Sequence, residues 1–118
     1  MGPQVERVEP VLGVRDVLAA LSFYADLGFK EAFRDDPQSP RFALVRRDNA
    51  VIALQRHDFV GVAGDRPVLR FPVRDVDALS NEIGPLPDRT PVADTNWGTR
   101  EFHVRDPDGN GLQFYRDR

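Results

Sequence analysis

The tetrapeptide Val14-Arg15-Asp16-Val17 returns as Val73-Arg74-Asp75-Val76, 59 residues further on and half the length of the 118-residue chain. Four matching letters can be coincidence, but the context of both copies points to duplication. Each is reached through a run suited to a strand, Arg7 to Val14 and Pro67 to Val73. In each, the aspartate carboxylate can accept a bond from an otherwise unpaired backbone N–H, so Asp16 and Asp75 are predicted helix N-caps. Val17, Ala20, Leu21, Tyr24 and Leu27 then recur at helical spacing, as do Val76, Leu79 and Ile83. Gly28 suits a left-handed end to the first helix, and Pro85, Pro87 and Asp88 break the second. Three short strands are predicted after each helix. They are Phe29 to Arg34, Arg41 to Arg46 and Val51 to Gln55, then Thr90 to Ala93, Arg100 to Arg105 and Gly111 to Tyr115. Asp48-Asn49 and Asp106-Pro107-Asp108-Gly109-Asn110 supply turns.

The expected fold is therefore α+β: two tandem βαβββ modules forming a curved mixed sheet around a cup-shaped cavity. Module 1 covers about 7–56, a linker (His57 to Arg66) about 57–66, and module 2 about 67–116, all within one domain, 1–118. A function is expected in the shared cavity.

Charge and residue usage narrow the classes. Sixteen Lys and Arg against 19 Asp and Glu leave a net charge of −3. Phosphate backbones need clustered positive charge, so no nucleic-acid partner is expected. The absence of cysteine excludes disulfides, thiolate nucleophiles and cysteine-held metals. No apolar run approaches the ~20 residues that span a bilayer, so no membrane partner is expected. Met1 to Glu9 is polar, without the apolar centre of a signal peptide, and the expected location is cytoplasmic.

Glu9-Pro10-Val11-Leu12-Gly13-Val14-Arg15-Asp16, followed by Phe23-Tyr24 and Leu27-Gly28-Phe29, resembles the opening module of the glyoxalase / bleomycin-resistance / extradiol-dioxygenase (vicinal-oxygen-chelate) superfamily. Asn96-Trp97-Gly98-Thr99-Arg100-Glu101-Phe102 through Arg105-Asp106-Pro107-Asp108-Gly109-Asn110 resembles it again. The order of the Trp-Gly, Arg-Glu-Phe, Arg-Asp-Pro and Gly-Asn elements is most similar to bleomycin-resistance proteins. Phe33 to Val62 offers no such match. This resemblance implies a homodimer that binds a small molecule, bleomycin-like in kind, and needs no catalytic residue.

Metal-dependent members of the superfamily hold an ion with His, Glu or Gln on four strands, and the matching positions here are Glu9, Ala53, Val68 and Gln113. Alanine and valine have no donor, so no metal and no cofactor are expected. A shift of two residues would replace Ala53 by Gln55. Together with His103, that keeps an alternative open: a metal-dependent enzyme of the glyoxalase, dioxygenase or antibiotic-modifying type. A third reading is an interaction module whose cup is filled by its own side chains.

Side chains alternate across a strand, so parity from the motif positions yields the expected ligand-binding set. It comprises Glu9, Arg70, Glu101, His103, Gln113 and Tyr115, and the resemblance to bleomycin-resistance proteins adds Trp97, in the loop before the penultimate strand. Trp97 and Tyr115 offer stacking surfaces, Glu9 and Glu101 negative charge for a cation, and Arg70 positive charge for an anion. His103 offers a group able to bind ligand or move a proton. The expected function is sequestration of an aromatic or cationic antibiotic-like ligand in a groove.

Overall fold

The computed structural model describes residues 2–58 and 66–118. The chain divides between Asp58 and Phe59 into two compact units. Residues 59–65, the greater part of the expected linker, lie outside the described residues.

In the first unit, β1 (Val11–Val14) leads to α1 (Val17–Asp26), then β2 (Lys30–Arg34), β3 (Phe42–Arg47) and β4 (Ala50–Arg56). The strands form one mixed sheet in the order β1-β4-β3-β2, in which β1 runs parallel to β4 and the other neighbours are antiparallel. The registers put Leu12 beside Leu54, Leu54 beside Ala43, and Ile52 beside Val45. All five are buried with Val17, Ala20, Leu21 and Tyr24 of α1. Each such side chain contributes about 1.5–3 kcal/mol by leaving water. Asp16 Oδ1 accepts from Ala19 N at 3.1 Å, capping α1 as predicted. Gly28 follows the helix at φ +83°, a conformation open to glycine because it has no Cβ to clash.

The second unit repeats the plan with β5 (Val68–Pro72), α2 (Val76–Ile83), β6 (Ala93–Asp94), β7 (Thr99–Arg105) and β8 (Gly111–Asp117). Its sheet order is β5-β8-β7-β6, with β5 and β8 parallel. Asp75 Oδ1 caps α2 by accepting from Ala78 N at 3.0 Å. One face of this sheet carries Phe71, Phe114 and Phe102 in adjacent strands, their rings stacked at centroid distances of 5.0 and 5.1 Å. Helix α2 covers that face: Arg100, on the same side of β7 as Phe102, donates to both carboxylate oxygens of Asp77 in α2 at 2.9 Å. Arg89 caps the far end of α2 by donating to the Gly84 carbonyl at 2.6 Å, with its guanidinium carbon 4.6 Å from the Phe102 ring centre. The fold is α+β, built of two βαβββ modules each with a four-stranded mixed sheet.

Two expected strands differ from those observed, and proline accounts for both. The first begins at Val11 rather than Arg7: the Pro10 carbonyl accepts from Ala53 N at 2.8 Å, but its ring nitrogen has no hydrogen to extend the ladder. The strand expected over Thr90 to Ala93 is instead the two-residue β6, Ala93–Asp94. Thr90 N does donate to the His103 carbonyl at 2.9 Å and Arg89 bridges Val104, but Pro91 interrupts the pairing.

Candidate functional site

The face of the second sheet turned away from α2 is polar. Residues directly opposite in a ladder project to the same side, and the registers stack three rows across β5, β8 and β7. These are Val68–Gly111–Arg105, Arg70–Gln113–His103 and Pro72–Tyr115–Glu101. Five of the seven predicted ligand-binding residues, Arg70, Glu101, His103, Gln113 and Tyr115, thus share one face of three adjacent strands.

Within this face Glu101 is buried, 7% exposed, and both its oxygens are used. Oε1 bonds His103 Nε2 at 2.7 Å, and Oε2 accepts from the Thr99 hydroxyl at 2.8 Å. Thr99 Oγ1 lies 2.8 Å from Thr95 Oγ1, so the hydroxyls of Thr95 and Thr99 lead in sequence to the carboxylate. Burial by itself would raise the Glu101 pKa. The hydrogen bonds from His103 and Thr99, with the charges of His103 and Arg70, outweigh it and hold the carboxyl below its ordinary value.

Arg70 is placed differently. Its guanidinium carbon lies over the Tyr115 ring, 4.0 Å from the centre, a cation–π arrangement. The Arg70 side chain forms no hydrogen bond or ion pair with any described residue, and neither do the side chains of Gln113 and Tyr115. Trp97 occupies the tip of the β6–β7 hairpin, 71% exposed. The turn is closed by Thr95 N donating to the Thr99 carbonyl at 2.8 Å and by Gly98 at φ +95°.

Glu9 lies in the first unit. It precedes β1 instead of standing on it, and its Oε2 accepts from Arg7 Nε at 2.7 Å. The two carboxylates expected to meet a cation are therefore both engaged, Glu9 by Arg7 and Glu101 by His103 and Thr99. Thr99 was missed by the sequence reading, which began the strand at Arg100. Its signal was parity, since it lies two residues before Glu101 on the same face.

The donor set can be tested against the divalent ion that the fold family implies. Val11 lies opposite Ala53 as Arg70 lies opposite Gln113, so Ala53, not Gln55, occupies the first-sheet position that matches Gln113. Ala53 and Val68 carry no donor and the Glu9 carboxylate is committed to Arg7. The residues present do not fit the ion, and no chemistry is derived through it. Among the described residues, no three His, Asp or Glu side chains gather closely enough to hold a metal. Nor is any described helix long and apolar enough to cross a membrane.

Two βαβββ modules, the second with polar groups gathered on the strand face turned away from its helix, form a glyoxalase-like architecture. The family described as Glyoxalase/Bleomycin resistance protein/Dioxygenase superfamily matches residues 5–114, and the chain belongs to that superfamily. Among solved structures, the bleomycin-binding protein from bleomycin-producing Streptomyces verticillus, complexed with copper(II)-bleomycin, is 34% identical. That match covers 98% of this chain and 100% of that one, with a TM-score of 0.76. A bleomycin-binding protein complexed with bleomycin is 20% identical over 97% of this chain and 100% of its own, at a TM-score of 0.80, a likeness of fold. TioX from Micromonospora sp. ML1 is 25% identical over 95% of this chain and 100% of its own, at a TM-score of 0.73. No curated protein matches the chain.

Proposed function

We propose that this protein binds and sequesters an aromatic, antibiotic-like small molecule, in the manner of bleomycin-resistance proteins, without altering it chemically. The observation that carries this reading is the row structure of the second sheet. Arg70, Gln113 and Tyr115 face one way with no hydrogen bond to any described residue, beside a buried Glu101 whose two oxygens are bonded by His103 and Thr99. A site with rigid, satisfied groups beneath and unengaged groups above is suited to recognition. The 34% identity to a protein whose structure holds copper(II)-bleomycin supports the same class.

In this reading the two modules form one domain, residues 1–118, and two chains form a homodimer. Val5, Val8, Val11 and Phe33 are exposed in the first unit, apolar surface of the kind that a subunit interface removes from water. Light scattering across a dilution series tests the dimer, and a monomer mass throughout would remove it.

Binding is tested by titrating purified protein of known metal content with bleomycin, metal-free and copper-loaded, while following Trp97 emission. Trp97 is the single tryptophan, so the signal has one origin. Saturable quenching at equimolar ligand supports sequestration. A flat response removes bleomycin as the ligand, and a stoichiometric resident metal would move the reading to a metal-dependent enzyme.

A further inference from the structure

We infer that the Arg70–Tyr115 pair is a receptor for a carboxylate group, so that the ligand bound on this face carries an acid. The inference deepens the reading above and rests on the same face of the second sheet. It starts from a charge inventory of that face. Glu101 is the acid, and both its oxygens are satisfied from within β7, by His103 Nε2 at 2.7 Å and Thr99 Oγ1 at 2.8 Å. Arg105 donates to the Gly109 carbonyl at 2.9 Å in the adjoining turn. Arg70 acts on Glu101 only through its charge, and its N–H fork forms no hydrogen bond or ion pair with any described residue.

The fork is also held in place. A solvated arginine loses much rotamer freedom when it grips a ligand. Here the guanidinium already lies over Tyr115, 4.0 Å from the ring centre, and Tyr115 is fixed by pairing with both Pro72 and Glu101 across its neighbouring strands. The cation–π contact engages no oxygen acceptor, so the guanidinium N–H groups remain able to match the spacing of two carboxylate oxygens. Gln113 stands directly opposite Arg70 in the ladder and its amide can donate to the same acid. A cation meets the reverse arrangement: the carboxylate on this face is already bonded, and the Arg70 and Arg105 charges beside it are positive.

The experiment is an NMR titration of the full-length protein with two flat probes of opposite charge, benzoate and benzamidinium, observing the Arg70 Nε–H and Gln113 side-chain amide signals. The expected result is a saturable shift with benzoate and none with benzamidinium. Arg70→Met should abolish the benzoate shift. Arg70→Lys, which keeps the charge but not the fork, should weaken binding about tenfold. Benzamidinium acting in preference to benzoate, benzoate failing to saturate, or Arg70→Met binding benzoate as wild type does would each overturn the carboxylate assignment. A parallel bleomycin titration separates this inference from the broader one. Benzoate binding without bleomycin binding leaves the carboxylate receptor standing and removes that ligand. Bleomycin binding without benzoate binding removes the receptor and leaves sequestration standing.

Discussion

Glu101 Oε1 and His103 Nε2, two residues apart on β7, share a hydrogen bond of 2.7 Å, and the charge state of one dictates the tautomer of the other. Glu101 is held below its ordinary carboxyl pKa despite its burial, so near neutral pH it is an anion and can only accept. Nε2 must then carry the proton, and in the neutral ring Nδ1 is left as an acceptor. The carboxylate thus positions the imidazole and keeps one nitrogen available to the face it shares with Arg70 and Gln113.

Removing that carboxylate should therefore cost stability by an amount that depends on what replaces it. Glu101→Gln keeps an acceptor and should lose about 1 kcal/mol, the difference between charged and neutral hydrogen bonds. Glu101→Leu removes the acceptor that the Thr99 hydroxyl and the imidazole share and should lose about 1–3 kcal/mol. Urea denaturation at neutral pH measures both. Equal stabilities for Leu and wild type would mean that the hydrogen bonds contribute nothing net.

The same group sets a pH dependence with a definite sign. Because its folded-state pKa lies below the ordinary 4.5, the native state takes up this proton less readily than the unfolded chain. The stabilisation is complete above the unfolded value and is lost as pH falls through the folded one. Melting temperatures of wild type and Glu101→Gln should accordingly converge on going from about pH 6 to about pH 3. A gap that widens on acidification would contradict the assigned direction.

Trp97, 71% exposed at the tip of its hairpin, touches ligand in the proposed function yet supports little of the fold. Trp97→Ala should leave stability within about 0.5 kcal/mol and weaken ligand binding by about 1 kcal/mol, some fivefold. Trp97→Phe should recover part of that loss. Calorimetric titration of bleomycin against the three proteins measures the effect. Unchanged affinity in Trp97→Ala would place the ligand elsewhere.

Much of the fold was legible because local rules and the repeat agree. Asp16 and Asp75 cap their helices as the repeated Val-Arg-Asp-Val sequence foretells, and parity counted from the positions that the family resemblance marks placed Arg70, Gln113, Tyr115, Glu101 and His103 on one face. What parity cannot supply is who satisfies whom. The engagement of Glu101 by Thr99, of Glu9 by Arg7, and the seating of Arg70 on Tyr115 depend on rotamers and on ladder register, which alternation leaves open. Strand ends were lost where Pro10 and Pro91 remove the donor that a longer ladder needs.

Gly28 tests a second kind of constraint. A Cβ there would meet Arg47 Nη1, the atom that donates to the Leu27 carbonyl at 2.9 Å and so closes the end of α1. Gly28→Ala combines a left-handed backbone at φ +83° with displacement of that arginine. It should cost about 1–3 kcal/mol. In an Arg47→Met background the same change should cost less, because only the backbone term remains, and a double-mutant cycle in urea isolates the coupling. Purely additive losses would show that Arg47 yields without consequence.

The duplicated N-caps permit a comparison within one molecule. Asp16 Oδ1 accepts from Ala19 N at 3.1 Å and Asp75 Oδ1 from Ala78 N at 3.0 Å. Both caps are exposed and both precede a valine that is buried, Val17 and Val76. Replacing either aspartate by alanine should cost about 1 kcal/mol, while asparagine, an equally good cap, should cost only a few tenths. The aspartates share no partner, so the double alanine variant should lose the sum of the two single losses to within about 0.5 kcal/mol. Chemical denaturation of the five proteins measures this. A double variant much less stable than the sum would show that capping in one module depends on the integrity of the other, so that the two halves of the repeat do not hold their helices independently.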